Sequence, residues 1–212
     1  MTTVHRLTFN PFSENTYIIV DQPTASCAIL DPGCMDSDEE NELLNEINRL
    51  GLTPTICLNT HCHIDHILGN WFVYSKFGLT PHIHPLEIPV LAAGEQVSSM
   101  YGIPYRKSPE PLFLDVTKPI EIGETRLEML FTPGHSPGSV SFYCKESGFV
   151  IGGDVLFQQS IGRTDLPGGN HTTLIQSIQE KLMVLDDHIV VYPGHGPETT
   201  IGAERQSNPF LT

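Results

Sequence analysis

Positive charge is scarce in this chain of 212 residues: 11 Lys and Arg stand against 25 Asp and Glu, for a formal net charge of −14. A surface of that sign repels phosphate backbones and anionic membranes, so no nucleic-acid partner is expected. No apolar run is long enough to span a bilayer. Met1 to Asn10 has no basic start followed by an apolar stretch, so neither a membrane anchor nor a secretory leader is expected. Cysteine pairing is missing as well. Cys27, Cys34, Cys57, Cys62 and Cys144 are odd in number, and none forms a C-x-x-C pair. A disulfide framework is thereby disfavoured, and a reducing cytoplasm is the expected compartment. No low-complexity tract or repeat of solenoid length is visible.

What is present suits one globular domain over 1–212, because 39% hydrophobic content at this length buries a sizeable core. Short runs rich in Val, Ile, Phe or Tyr predict strands at Val4–Phe9, Thr16–Val20, Cys27–Leu30, Thr55–Asn59, Arg126–Thr132, Ser139–Cys144, Phe149–Ile151 and Ile189–Tyr192. Ser37-Asp38-Glu39-Glu40 spells a capping box, with Leu43, Leu44, Ile47 and Leu50 on one face of the helix that follows and Gly51 at its end. Further helices are predicted after Asp65 towards Phe77, and from near Asn170 through Leu182. Sheets covered by helices on their outer faces make an α/β layered sandwich. Gly94 to Pro119, interrupted by Pro104, Pro109 and Pro111, reads as a surface excursion or a flap, with Tyr101 and Tyr105 available to touch a substrate.

The chemistry concentrates at Thr60-His61-Cys62-His63-Ile64-Asp65-His66, directly after the apolar Ile56-Cys57-Leu58. Imidazole nitrogen and carboxylate oxygen are the donors that suit zinc, manganese or iron at a catalytic site. His61 and His63 project alike from extended chain, and the turn into a helix re-aims Asp65 and His66, so one strand end serves two ions. Three later segments repeat one setting, a candidate ligand beside glycine at the end of an apolar strand: Pro133-Gly134-His135, Gly152-Gly153-Asp154 and Pro193-Gly194-His195. One histidine beside glycine means little. All of them in one chain mean metal.

These motifs, H-x-H-x-D-H, then G-H, G-D and a final G-H, resemble those of the metallo-β-lactamase superfamily, and specifically its glyoxalase II-like branch. The resemblance extends to Ile29-Leu30-Asp31-Pro32-Gly33 and to Ser160-Ile161-Gly162-Arg163-Thr164-Asp165, and so spans nearly the whole chain. It implies a four-layer αβ/βα sandwich. It also implies that His61, His63 and His135 hold a first divalent cation, that Asp65, His66 and His195 hold a second, and that Asp154 bridges both. Zinc is the leading candidate, with iron or manganese as alternatives. Such a pair lowers the pKa of a shared water to about 7, presenting hydroxide to an electrophilic carbonyl. Asp65 is then a catalytic candidate that orients this water or shuttles its proton. No Ser-His-Asp or Cys-His nucleophile competes with it, and a thiolate leaving group needs little acid help, so a small thioester such as a hydroxyacylglutathione is the expected substrate.

Only Gly196 to Thr212 follow His195, so the chain looks like the compact glyoxalase II-like hydrolases that lack the additional helical region. Ile161 to Asp165 also resembles persulfide dioxygenases, which bind one iron through the positions of His61, His135 and Asp154. A non-catalytic metal-binding module is the alternative from another class. β-Lactamases of the superfamily commonly differ at the position of Asp154, which weighs against antibiotic hydrolysis. A monomer or small homo-oligomer is expected. Arg163 is the cationic candidate for a substrate carboxylate, against the simpler reading of an ion pair with Asp165. His82 and His84 imitate H-x-H but lack the Asp-His that follows, Cys62 reads as a spacer, and Asp31 as a loop organiser.

Overall fold

Each of the eight predicted strands forms, with ends within two residues of those read from the apolar runs. The computed structural model describes residues 1–211. The chain packs as two units, one of 1–114 with 121–125 and the other of 115–120 with 126–212.

The first unit is built on a six-stranded mixed sheet in the order β1 (Thr2–Phe9), β2 (Glu14–Asp21), β3 (Ser26–Leu30), β4 (Thr53–Leu58), β5 (Pro81–Ile83) and β6 (Leu112–Phe113). β1, β2 and β3 pair antiparallel, and β3 to β6 run parallel. Helices α1 (Ser37–Arg49), α2 (Ile64–Ile67), α3 (Asn70–Phe77), α4 (Ile88–Ala92) and α5 (Gly94–Tyr101) belong to the same unit. Ile18, Val20 and Ile29 from the sheet meet Leu43 and Ile47 of α1 and Phe72 and Val73 of α3 in one apolar cluster. A second cluster joins Cys62, Ile64, Ile67 and Ile83 to Val90, Val97 and Tyr105.

The second unit is built on a sheet whose edge strand β7 (Ile120–Ile122) straddles the division, and carries β8 (Thr125–Phe131), β9 (Val140–Cys144), β10 (Phe149–Gly153), the hairpin β11 (Leu156–Phe157) and β12 (Ser160–Ile161), α6 (His171–Ser177), β13 (Val190–Pro193), β14 (Thr199–Thr200) and α7 (Ile201–Ser207). Its six-stranded sheet runs β14-β13-β10-β9-β8-β7, with β10 and β13 parallel. Val150, Val191, Leu174, Ile178, Leu182 and Ile201 pack into its core.

Three local readings change. Asp36, not Ser37, caps α1: its side chain accepts from the N–H groups of Asp38 and Glu39. Glu39 turns instead to the N–H groups of Asn10 and Met35, both at 2.7 Å. The helix predicted after Asp65 is two short ones, because the Gly69 N–H donates to Pro32 O at 2.7 Å rather than continuing the ladder. The excursion after Gly94 opens as a helix that stops at Gly102, whose left-handed φ of 67° suits glycine. Asp36→Ala should cost about 1 kcal/mol, seen as a fall of roughly 2–4 °C in a thermal melt.

Candidate metal centre

The candidate ligands all follow the carboxyl ends of strands, His61 to His66 after β4, His135 after β8, Asp154 after β10 and His195 after β13. In the first unit His61 and His63 stand ring edge to ring face with centroids 4.8 Å apart, and His61 and His66 lie 4.1 Å apart. Asp65 Oδ2 is 3.7 Å from His66 Nε2. In the second unit a single oxygen, Asp154 Oδ2, stands 3.5 Å from His135 Nε2 and also 3.5 Å from His195 Nε2. Two donors each about 2.1 Å from a tetrahedral ion lie roughly 3.4 Å apart, so these separations fit donors that share a cation.

Hydrogen bonds at Nδ1 orient three of the rings, those of His61, His66 and His135. His135 Nδ1–H donates to the Arg163 carbonyl at 2.8 Å, which directs the Nε2 lone pair at Asp154. In the first unit the buried Asp31 does this for two rings. Its Oδ2 accepts from His66 Nδ1 at 3.1 Å and from the Thr60 hydroxyl at 2.6 Å. The Thr60 oxygen, its proton committed to Asp31, is left to accept from His61 Nδ1 at 3.0 Å. Asp31 Oδ1 takes the Thr60 N–H at 2.7 Å. Asp31, His61 and His66 offer ligand atoms within 4.8 Å of one another. With both its oxygens engaged, Asp31 orients the ligands rather than joining them.

Backbone geometry supports the placement. Asn10, at a left-handed φ of 54°, sends its Nδ2–H groups to the carbonyls of Asp65 and Gly33, each at 3.1 Å, and so fixes the turn that carries Asp65. Gly134 has φ 133°, and a Cβ there would collide with the backbone of Leu174, where α6 packs beside His135. The Cys62 N–H donates to the buried Glu87 Oε2 at 2.8 Å, while its side chain sits in the apolar cluster, where burial pushes the thiol well above its ordinary range. A neutral, inward-packed thiol is a spacer. All five cysteines are buried and free.

Thr60, Asn10, Glu87 and the buried Glu14 were not singled out by sequence. Burial pushes the Glu14 carboxyl well above the usual carboxylate range. Asn10 alone left a signal, an Asn directly after a strand, where left-handed backbone is tolerated. Arg163 makes a two-pronged pair with Asp165, 2.7 Å on each arm, which holds the Asp165 carboxyl down to about 2. Tyr101 is 54% exposed, with its ring edge-on to Phe12 at 5.1 Å. Tyr105 is more enclosed, its hydroxyl accepting the Ser108 N–H at 3.2 Å. Arg106, from the proline-rich stretch, stacks over Trp71 at 4.4 Å and pairs with Glu40. His82 Nδ1–H donates to the Cys57 carbonyl at 3.2 Å, and His84 Nδ1 caps the Leu86 N–H.

Imidazoles and carboxylates gathered at strand ends of an α/β chain define a metal-binding protein. The chain belongs to the Metallo-beta-lactamase superfamily, whose profile matches residues 9–195. It is similar to a probable metallo-hydrolase, YqgX of Bacillus subtilis, at 42% identity over 97% of this chain and 96% of that one. It is 35% identical to the hydroxyacylglutathione hydrolase GloC of Haemophilus influenzae, over 94% and 93% of the two chains. Among solved structures, the B3 metallo-β-lactamase BLEG-1 superposes with a TM-score of 0.90 at 38% identity, covering 99% of this chain and 100% of that one. TTHA1623 in a di-iron-bound form gives 0.86 at 35%, covering 98% and 100%. The fold is accordingly the metallo-β-lactamase α/β sandwich, with two mixed sheets flanked by helices, and the chain is of the metallo-hydrolase class. No helix among the described residues is long and apolar enough to cross a membrane.

Proposed function

We propose that the chain is a metal-dependent thioesterase of glyoxalase II type, acting on a small thioester such as a hydroxyacylglutathione. His61, His63 and His135 hold one divalent cation, Asp65, His66 and His195 hold another, and Asp154 serves both. Zinc leads, with iron or manganese as alternatives. The observation that carries the reading is Asp154 Oδ2, set 3.5 Å from the Nε2 atoms of both His135 and His195, the place of a carboxylate that joins two ligand sets. The likeness to GloC supports the choice of thioester.

When bound, the cations supply Lewis acidity that polarises a carbonyl and activates a water. The chain's own part is orientation and proton handling. Asp31 and the Arg163 carbonyl keep the Nε2 atoms of His66 and His135 aimed. Asp65, whose backbone carbonyl accepts from Asn10, would take the proton of the attacking water. The departing thiolate is a good leaving group, so no separate general acid is required.

A second reading, β-lactam hydrolysis, is favoured by the likeness to BLEG-1. The test is a panel assay of metal-loaded protein on S-lactoylglutathione, nitrocefin and glutathione persulfide. Turnover of the thioester is expected. Turnover of nitrocefin alone would transfer the site to β-lactams, and persulfide-dependent oxygen uptake would make it an iron dioxygenase. Metal binding with no turnover would leave a binding module.

A further inference from the structure

Glu14 opens β2, a strand in which all eight residues are buried. Its own side chain is 0% exposed. Oε2 accepts from the Thr16 hydroxyl at 3.0 Å, whereas Oε1 has no hydrogen-bond partner and lies 3.8 Å from His66 Nδ1. The carboxyl is also packed tightly against the Pro32-Gly33 turn, since a Cβ on Gly33 would collide with Oε2. Local structure does not account for it: a buried carboxyl with half its acceptors idle is costly, and glutamine would fill the same space without a charge. Asp31, at 3.1 Å from the same Nδ1, and Asp65, at 3.7 Å from Nε2, add two more carboxylates around one imidazole. A cation on the Nε2 side of that ring is what would balance such a grouping.

We propose that Glu14 is a positioning residue for the cation held by His66, forming with Asp31 a two-carboxylate backing to Nδ1 that strengthens this imidazole as a donor. The inference rests on the two-cation reading above. It separates the cations, because the ring that Glu14 backs is that of His66.

The experiment compares full-length wild type with Glu14→Gln by zinc titration against a chromophoric chelator, and by melts of the metal-free proteins. In the variant one of the two zinc equivalents should lose about 10- to 100-fold in affinity, the other should be unchanged, and the metal-free melt should be no lower than wild type. Glu14→Met, apolar and of similar length, gives the same comparison if the glutamine variant does not fold. Wild type and variant binding two equivalents with equal affinities would overturn the role of Glu14 while leaving the two-cation reading intact. Equal weakening of both equivalents would also overturn it. A wild type that binds only one equivalent would overturn both.

Discussion

Replacing Asp154 by alanine is expected to remove bound metal and to lower kcat for thioester hydrolysis by on the order of 10³-fold, about 4 kcal/mol of transition-state stabilisation. One oxygen of this residue is 3.5 Å from each of two imidazole nitrogens, so its loss weakens both ligand sets rather than one. The side chain is largely buried, and the β10 strand before it is held by its own ladder to β9 and β13. The variant should therefore fold. Elemental analysis, circular dichroism and a melt with and without added zinc check this. Wild type should gain thermal stability with zinc, since an ion that binds the folded state stabilises it, and the variant should gain far less. An Asp154→Ala protein that keeps two equivalents of metal would remove the bridging role.

The other large effect belongs to Asp31. Alanine there leaves three buried donors without their acceptor, the Thr60 N–H, the Thr60 hydroxyl and His66 Nδ1–H, and puts a side chain without polar reach at a φ of 47°. Unsatisfied buried donors and left-handed strain together should cost about 3–5 kcal/mol. Asp31→Asn isolates the orienting role, because asparagine tolerates that backbone and keeps the shape. Its amide offers one oxygen where the carboxylate offers two, so either the Thr60 N–H or the Thr60–His66 pair faces an N–H group. Zinc affinity should fall about 10- to 100-fold with a smaller loss of stability. Calorimetric titration and urea denaturation of the two variants separate the effects. Equal zinc affinity in wild type and Asp31→Asn would show that the carboxylate supports the loop alone.

The seven candidate donors were legible because each sits inside a short local pattern, His61 to His66 in one run and His135, Asp154 and His195 beside glycine. The strands were legible for the same reason, as local runs of β-branched and aromatic residues. What supports the donors was not. Asp31 reaches Thr60 and His66 across 29 and 35 residues, Asn10 reaches Asp65 across 55, and Glu87 reaches Cys62 across 25. No periodicity records such partners. Glu14 was hidden differently: a glutamate at a strand start ordinarily reads as solvent-facing, and only the covered sheet shows it buried. The helix limits moved where tertiary bonds outbid local propensity, as when Gly69 gives its N–H to Pro32 and Glu39 leaves the capping box for Asn10 and Met35.

The most direct test of the metal assignment is anomalous diffraction from crystals of the zinc-loaded protein. Two peaks are predicted, roughly 3.5–4 Å apart, with Asp154 touching both and the Nε2 atoms of His61, His66, His135 and His195 turned to them. A single peak, or two that leave Asp154 uncoordinated, would contradict the account.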